Sequence, residues 1–202
     1  KQLIHLLNER KICKRTVVVW PEENHTQEAV CKAVHDGFIE PILVCSKQTM
    51  EDYAKKNAFQ CIIAESPEDA AHKAVELIRR GEADIVMKGF LNTDVLLRAI
   101  LDKEVGILPK DTVLTHITVA KLPEYPKLLF FTDAAVIPAP NDKQRRAQVQ
   151  YIVDFCHAFE IECPKIALIH CSEKVDERHF PYTASYRALK AESETGAFGK
   201  CT

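Results

Sequence analysis

The chain has 202 residues, 47% hydrophobic and 28% charged, which is room for one large or two small domains around a sizeable core. Its formal net charge of -2 removes any global electrostatic case for nucleic acid or an anionic membrane, so an anionic ligand has to be held by a local cluster of donors. No apolar run approaches the ~20 residues that span a bilayer.

In chain order, the opening KQLIHLLNERK reads as an amphipathic helix and not a signal peptide, because no small-residue cleavage site follows. Strands are predicted at TVVVW (16–20), PILVC (41–45), CIIA (61–64) and ADIVM (83–87). Each is a short, nearly continuous apolar run, as parallel strands covered on both faces require. Helices are predicted between them at 25–36, where Ala29 and Ala33, Val30 and Val34 recur at i, i+4, and at 48–57 and 67–80. The last opens on Ser66-Pro67-Glu68-Asp69, a serine cap with proline at the first helical position, and Gly81 follows Arg79 and Arg80 as its stop. Strand-helix alternation with short loops implies a parallel, doubly wound α/β sheet.

The pattern changes after Asp111. TVLTHITVAKL and YPKLLFFTDAAV read as long strands joined by the turn PEYP, with no room for a crossover helix, so a hairpin is expected. A helix at about 142–160 starts from APND and aims Ala147, Val149, Ile152, Val153 and Phe155 at a core. A strand KIALIH (165–170) and a helix near 183–194 follow. The division falls into a parallel α/β domain over 1–112 and a second α/β domain with the hairpin over 113–202; ending at GAFGKCT, the second domain reads as incomplete.

Eight cysteines, Cys13, Cys31, Cys45, Cys61, Cys156, Cys163, Cys171 and Cys201, include no Cys-x-x-Cys pair. Most sit in apolar patterns such as ILVC and CIIA, where a thiol packs as a small hydrophobe. His157 beside Cys156 and His170 beside Cys171 match no ligand spacing, so the expectation is reduced, buried thiols in the cytoplasm and no metal.

Three stretches could carry chemistry. In open α/β sheets ligands sit beyond the carboxyl ends of strands. There Lys88 projects from the edge of the fourth strand, Gly89 allows close backbone approach or positive φ, and Asn92, Thr93 and Asp94 start a helix whose free N–H groups suit a phosphate or carboxylate. The alternative is an ordinary strand-loop-helix joint with a solvated lysine. In LTHITV, strand alternation puts Leu114, His116 and Thr118 on one side; His116 is a ligand-cleft residue or simply a strand histidine. Asp133, closing FFTD, is a base, a ligand contact or the cap of a local turn. Arg145 and Arg146 read as a solvated helix face, and Ser172 and Glu173 as loop residues.

Taken in order, ADIVMKGFLNTDVLLRAIL, LTHITV, YPKLLFFTDAA, APNDKQRRAQVQ and PKIALIHCSEKV resemble the phosphate acetyl/butyryltransferases, in particular the phosphate butyryltransferase branch. EAVCKAVHDGFIEPILV is similar to that family's first helix-strand unit. The resemblance implies a two-domain α/β fold like that of isocitrate and isopropylmalate dehydrogenases, with a parallel sheet and a second, mixed-sheet domain. It implies a cleft for acyl-CoA and inorganic phosphate, and a reversible transfer giving acyl phosphate and coenzyme A. Coenzyme A is then substrate or product, with no resident cofactor. Lys88, Gly89, Asn92 and Thr93 serve the phosphate or substrate end, and His116 and Asp133 line the cleft as catalytic candidates. The family also implies a homodimer or larger assembly, cytoplasmic, with neither nucleic acid nor membrane as partner.

Two departures from the family pattern stand out. An Asn commonly falls near position 137, where this chain has Ile137 and Pro138. Family members also continue past the point matching Thr202, so part of the catalytic set, a serine and an aspartate, is expected beyond it, and the stand-alone chain is not expected to run the full reaction. A non-catalytic relative that binds coenzyme A or phosphate is the alternative. A dehydrogenase of the same fold is disfavoured, for there is no glycine-rich dinucleotide loop and no carboxylate cluster for a divalent metal.

Overall fold

The computed structural model describes residues 9–202, so most of the helix read in KQLIHLLNERK lies outside the described residues. The chain divides between Lys110 and Asp111 into two compact units.

The first unit is a four-stranded parallel sheet of β1 (Lys14–Val19), β2 (Ile39–Cys45), β3 (Gln60–Ile63) and β4 (Ile85–Lys88), in the order β3-β2-β1-β4. β1 lies between β2 and β4, with Val19 opposite both Val44 and Lys88. Val17, Val18, Val19, Leu43, Val44 and Cys45 are buried, and alternate residues feed the two faces. Val17, Val19, Ile42 and Val44 pack on the alanine-rich side of α3 (Pro67–Arg79) and on Leu96 and Ala99 of α4 (Thr93–Leu101). Val18, Leu43 and Cys45 pack on Val30 of α1 (Asn24–His35) and on Tyr53 and Ala54. Burial on both faces is why β1 and β2 read as unbroken apolar runs, while the edge strands β3 and β4 are only partly covered. The Ser66 side chain accepts from the Asp69 N–H, and Gly81 at φ 69° closes the other end of α3, as its sequence signals require.

The helix expected over 48–57 takes a different form. A three-residue α2 (Lys47–Thr49) widens into a π-helical turn, Met50–Ala54, in which the Lys55 N–H reaches the Met50 carbonyl at 3.0 Å. The wider turn brings Tyr53 and Ala54 into the core, and the Tyr53 hydroxyl donates to the Gln27 carbonyl at 2.7 Å.

The second unit holds the expected hairpin in shorter form: β5 (Thr118–Lys121) and β6 (Leu128–Phe131) pair antiparallel, Thr118 opposite Phe131. The long strands foreseen do not form because the chain leaves the ladder at Thr132 and turns around Asp133. Phe130 packs on Phe155 and Phe159, ring centroids 5.9 and 5.4 Å away. Phe155 belongs to α5 (Asp142–Ala158), started by a capping box of Asn141 and Gln144. α6 (Ala184–Glu194) follows a 3₁₀ turn, Pro181–Thr183.

KIALIH does not join a sheet, so the second unit's sheet is two-stranded and antiparallel, not the mixed one expected. Ile166 and Leu168 do pack against the core of Val149, Val153, Leu189 and Phe198, while Ile169 is 82% exposed. Inward and outward residues alternate along the segment, but a strand ladder is replaced by Ile166 and Pro164 bonding Thr202.

Among the described residues no helix is long and apolar enough to cross a membrane.

Candidate functional site

In the first unit the chain runs outward from β1 to β3 and returns to the far side of β1 as β4. The carboxyl ends of β1 and β4 therefore flank the topological switch point, where open sheets of this class bind ligands. Lys88 is the last residue of β4 and lies there, exposed, as the sequence anticipates. Its ammonium is not idle: Nζ donates to the Leu91 carbonyl at 2.8 Å and to the Gly89 carbonyl at 3.2 Å. Two of three donors are thus committed to the loop, and one is left for a ligand.

Gly89 serves close approach, and what approaches is backbone. Its N–H donates to Val19 at 2.9 Å and the next N–H, of Phe90, to Trp20 at 2.8 Å, so the pairing with β1 runs on past the strand. A Cβ on Gly89 would stand 2.6 Å from both the Val19 and Trp20 carbonyl oxygens. Trp20 itself turns through φ 56°. Asn92 is the N-cap of α4, but its side chain makes no capping hydrogen bond, and Asn92 and Thr93 are exposed. The first-turn N–H groups of α4 thus lack a side-chain cap, beside a lysine.

One polar cluster at this edge escaped the sequence reading. The Glu22 carboxylate accepts from the Ser46 N–H and hydroxyl, both at 2.8 Å, and from the Thr49 hydroxyl at 2.6 Å. It ties the β1–α1 loop to the start of α2, while Gln27 holds the Pro21 carbonyl at 2.9 Å. The signal was available: Glu22 and Ser46 both follow the carboxyl ends of apolar runs.

In the second unit Asp133 and His116 come together through the backbone. Asp133 Oδ2 accepts from the Thr115 hydroxyl at 2.7 Å and the His116 N–H at 3.0 Å; Oδ1 accepts from the N–H groups of Ala135 and Val136, both at 2.8 Å. Burial works to raise its pKa, but the N–H groups of Val136 and Ala135, the Thr115 hydroxyl and the His116 N–H outweigh it and hold the carboxyl well below the usual range. Such a carboxylate is a fixed anion that caps a turn. As a proton acceptor it is a poor candidate. Gln148, buried on α5, donates to Thr115 at 3.3 Å and supports the clasp from below. His116 lies just before β5, half-buried, with Nδ1 3.3 Å from the Thr118 hydroxyl.

Arg145 corrects the expectation of a solvated face: it is 7% exposed. Its Nη1 donates to Asp142 at 3.0 Å and Ser185 at 2.9 Å, its Nη2 to the Pro140 carbonyl at 2.8 Å, and its guanidinium lies 5.7 and 5.6 Å from the rings of Tyr182 and Tyr186. The helical period could have found it, since Arg145, Gln148, Val149 and Ile152 share one stripe. Arg146 is the exposed one, bonded to Glu192 at 2.7 Å. Ser172 accepts from the Lys174 N–H within an exposed turn.

The cysteines depart from the buried-thiol expectation. All eight are free, but only Cys45 and Cys156 are buried, and Cys13, Cys163 and Cys171 are exposed. Burial pushes the Cys45 thiol up to about 12. Among the described residues no three His, Cys, Asp or Glu side chains are grouped so as to hold a metal ion.

Residues 61–194 match the family model described as phosphate acetyl/butaryl transferase. The chain is 34% identical over 196 residues to a phosphate butyryltransferase of Clostridium acetobutylicum, covering 95% of this chain and 64% of that protein. It is 31% identical over 188 residues to a phosphate acetyltransferase of Rickettsia typhi, covering 90% of this chain and 53% of that protein. The chain thus spans less than two thirds of the length of these relatives. In fold it is similar to the crystal structure of a branched-chain phosphotransacylase from Enterococcus faecalis, with a TM-score of 0.74 at 24% identity over 88% of this chain and 63% of that one. It is also similar to the EutD phosphotransacetylase from Staphylococcus aureus, with a TM-score of 0.67 at 12% identity over 100% of this chain and 72% of that one. The family match takes in Lys88, Gly89, Asn92, Thr93, His116 and Asp133, and on that span the chain belongs to the phosphate acetyl/butaryl transferase family.

Proposed function

We propose that the protein is a phosphate acyltransferase, interconverting a short-chain acyl-CoA (butyryl-CoA or acetyl-CoA) and inorganic phosphate with the acyl phosphate and coenzyme A. The observation that carries the reading is the family match over 61–194, which takes in every candidate residue singled out above. In the reaction a phosphate oxygen attacks the thioester carbonyl, a C–O bond forms and the C–S bond breaks. Catalysis therefore needs donors that hold phosphate against the carbonyl carbon, together with a proton partner for the sulfur. The free donor of Lys88 and the uncapped first turn at Asn92 and Thr93 take the anionic end, while Gly89 keeps that loop against β1. Coenzyme A enters as a substrate, with no resident cofactor. The same reading carries a kinship with the isocitrate and isopropylmalate dehydrogenase fold, a homodimer or larger assembly and a cytoplasmic location.

Thiol release from butyryl-CoA or acetyl-CoA that depends on added phosphate tests the proposal in the protein that carries this chain. Lys88→Ala removes a charge-assisted bond of about 1.5–3 kcal/mol, so KM for phosphate rises roughly 10- to 100-fold while coenzyme A affinity changes little. An unchanged phosphate dependence takes Lys88 out of the site. The second reading is a non-catalytic relative that binds coenzyme A or phosphate. It is favoured by Ile137 and Pro138, which give the loop after Asp133 no polar side chain for substrate. Tight coenzyme A binding without thiol release from either acyl-CoA decides for it.

A further inference from the structure

In the first unit, the turn after β1 and the loop after β4 meet at one carbonyl. Trp20 turns through φ 56°, a left-handed conformation that a bulky residue keeps only where its surroundings hold it. From that turn the Trp20 carbonyl accepts the Glu22 N–H at 2.9 Å and the Phe90 N–H at 2.8 Å. The Phe90 N–H and the Gly89 carbonyl belong to a single planar, trans peptide group and point opposite ways. Held by Trp20 on one side, this group presents its oxygen on the other to Lys88 Nζ at 3.2 Å, which also donates to the Leu91 carbonyl at 2.8 Å. The turn at Trp20 is tied down in its own right. The Trp20 N–H reaches the Val44 carbonyl at 2.8 Å, and the Gln27 side chain holds the Pro21 carbonyl at 2.9 Å. Glu22 anchors the far end to the exit from β2: Oε1 takes the Ser46 N–H at 2.8 Å, and Oε2 takes the Ser46 and Thr49 hydroxyls at 2.8 and 2.6 Å.

We infer that Glu22 is a positioning residue for the anionic end of the site: by anchoring the turn at Trp20 it aims the Gly89 carbonyl, and through that carbonyl the Lys88 ammonium. This rests on the acyltransferase reading, in which the remaining donor of Lys88 takes phosphate. Phosphate then gains from Glu22 only at second hand, through two peptide groups that set where the ammonium stands. What Glu22 supplies to the turn is two acceptor atoms in a fixed place, and its negative charge is not what the role needs. Glutamine can fill the same place. Its Oε1 keeps the Ser46 N–H, and its Nε2 offers two hydrogens to the two hydroxyls, which can turn to accept them. Methionine matches the length of the side chain and offers neither oxygen.

In the protein carrying this chain, Glu22→Met is expected to raise KM for phosphate roughly 5- to 10-fold, the scale of one hydrogen bond weakened at the ligand. Both kcat and KM for acyl-CoA stay within about twofold, as loss of ground-state phosphate binding requires. Glu22→Gln keeps a KM for phosphate within about twofold of the parent's, since its bonds survive. The two positions are coupled: once Lys88→Ala is in place, Glu22→Met raises KM for phosphate no further. Amide exchange reads the mechanical link without substrate. In Glu22→Met the Phe90 amide exchanges roughly 10-fold faster or more, while the slowest amides of β1 and β2 keep their rates. Should Glu22→Met fail to fold, Thr49→Val removes one of the three bonds to Glu22 and shifts KM and Phe90 exchange in the same direction by less. An unmoved KM for phosphate, unmoved Phe90 exchange, or effects of Glu22→Met and Lys88→Ala that multiply in the double variant each overturn the inference alone. Absence of any thiol release by the unsubstituted protein overturns the acyltransferase reading, and the positioning role with it.

Discussion

Four donors reach the Asp133 carboxylate, and that number governs its chemistry more than its place at a strand end does. Those bonds depress its pKa below the ordinary value of 3.8, so they contribute stability above the unfolded-state pKa and lose it as pH falls through the window beneath it. Asp133→Asn keeps one acceptor but turns an NH₂ group towards N–H or O–H donors. The expected cost is roughly 2 kcal/mol at neutral pH, with the loss of stability below about pH 4 becoming shallower than in the unsubstituted protein. Urea unfolding at pH 7 and between pH 2 and 5 measures both effects; equal stability at neutral pH would return Asp133 to the pool of free carboxylates. Arg145 makes the complementary point. As a letter in the sequence it looked solvated, yet its guanidinium is buried over two tyrosines, because the register set by Asn141 and Gln144 turns position 145 inward.

At the scale of elements, the joint between β1 and β4 shows what a single glycine secures. Two successive N–H groups, of Gly89 and Phe90, bond the end of β1, and this is possible only because position 89 carries no Cβ. Gly89→Ala drives a methyl into two backbone carbonyls that no rotamer change can move aside. The expected loss is at least about 2 kcal/mol, in the range of overpacking and backbone strain. Lys88 is also displaced, since its ammonium bonds the carbonyls of Gly89 and Leu91. Thermal unfolding of the variant checks this, and a melting temperature within a degree of the parent's would mean the loop yields freely. Helix starts were the most legible elements. Ser66 caps α3 and Asn141 caps α5 through chemistry confined to four residues. Strand ends were less legible: in YPKLLFFTDAAV the apolar residues resume at Ala134 after Thr132 and Asp133, so the sequence alone does not show that the ladder already stops at Phe131.

For the molecule as a whole, the parallel sheet was readable because its central strands β1 and β2 are buried on both faces and α3 announces its own ends. The π-helical turn at Met50 and the isolated KIALIH segment were not, since each depends on contacts distant in sequence: Tyr53 with Gln27, and Pro164 and Ile166 with Thr202. The candidate site divides in the same way. Lys88, Asn92 and Thr93 follow from the rule that ligands meet strand carboxyl ends. The engagement of Lys88 by its own loop, the Glu22 cluster and the saturation of Asp133 required coordinates. The sheet's two-faced burial yields a test of its own. Leu43 is fully buried at the centre of the α1 side of the sheet, between Val18 and Cys45 and opposite Cys61. Leu43→Ala is expected to cost about 2–5 kcal/mol, because flanking strands hydrogen-bonded on both sides of β2 cannot close over the void. Amide exchange in β1, β2 and β4 reports it: with the strands' protection tied to this core, their slowest amides speed up roughly 30-fold or more, the equivalent of about 2 kcal/mol. Unchanged exchange there would mean that the sheet draws its stability from the α3–α4 face alone.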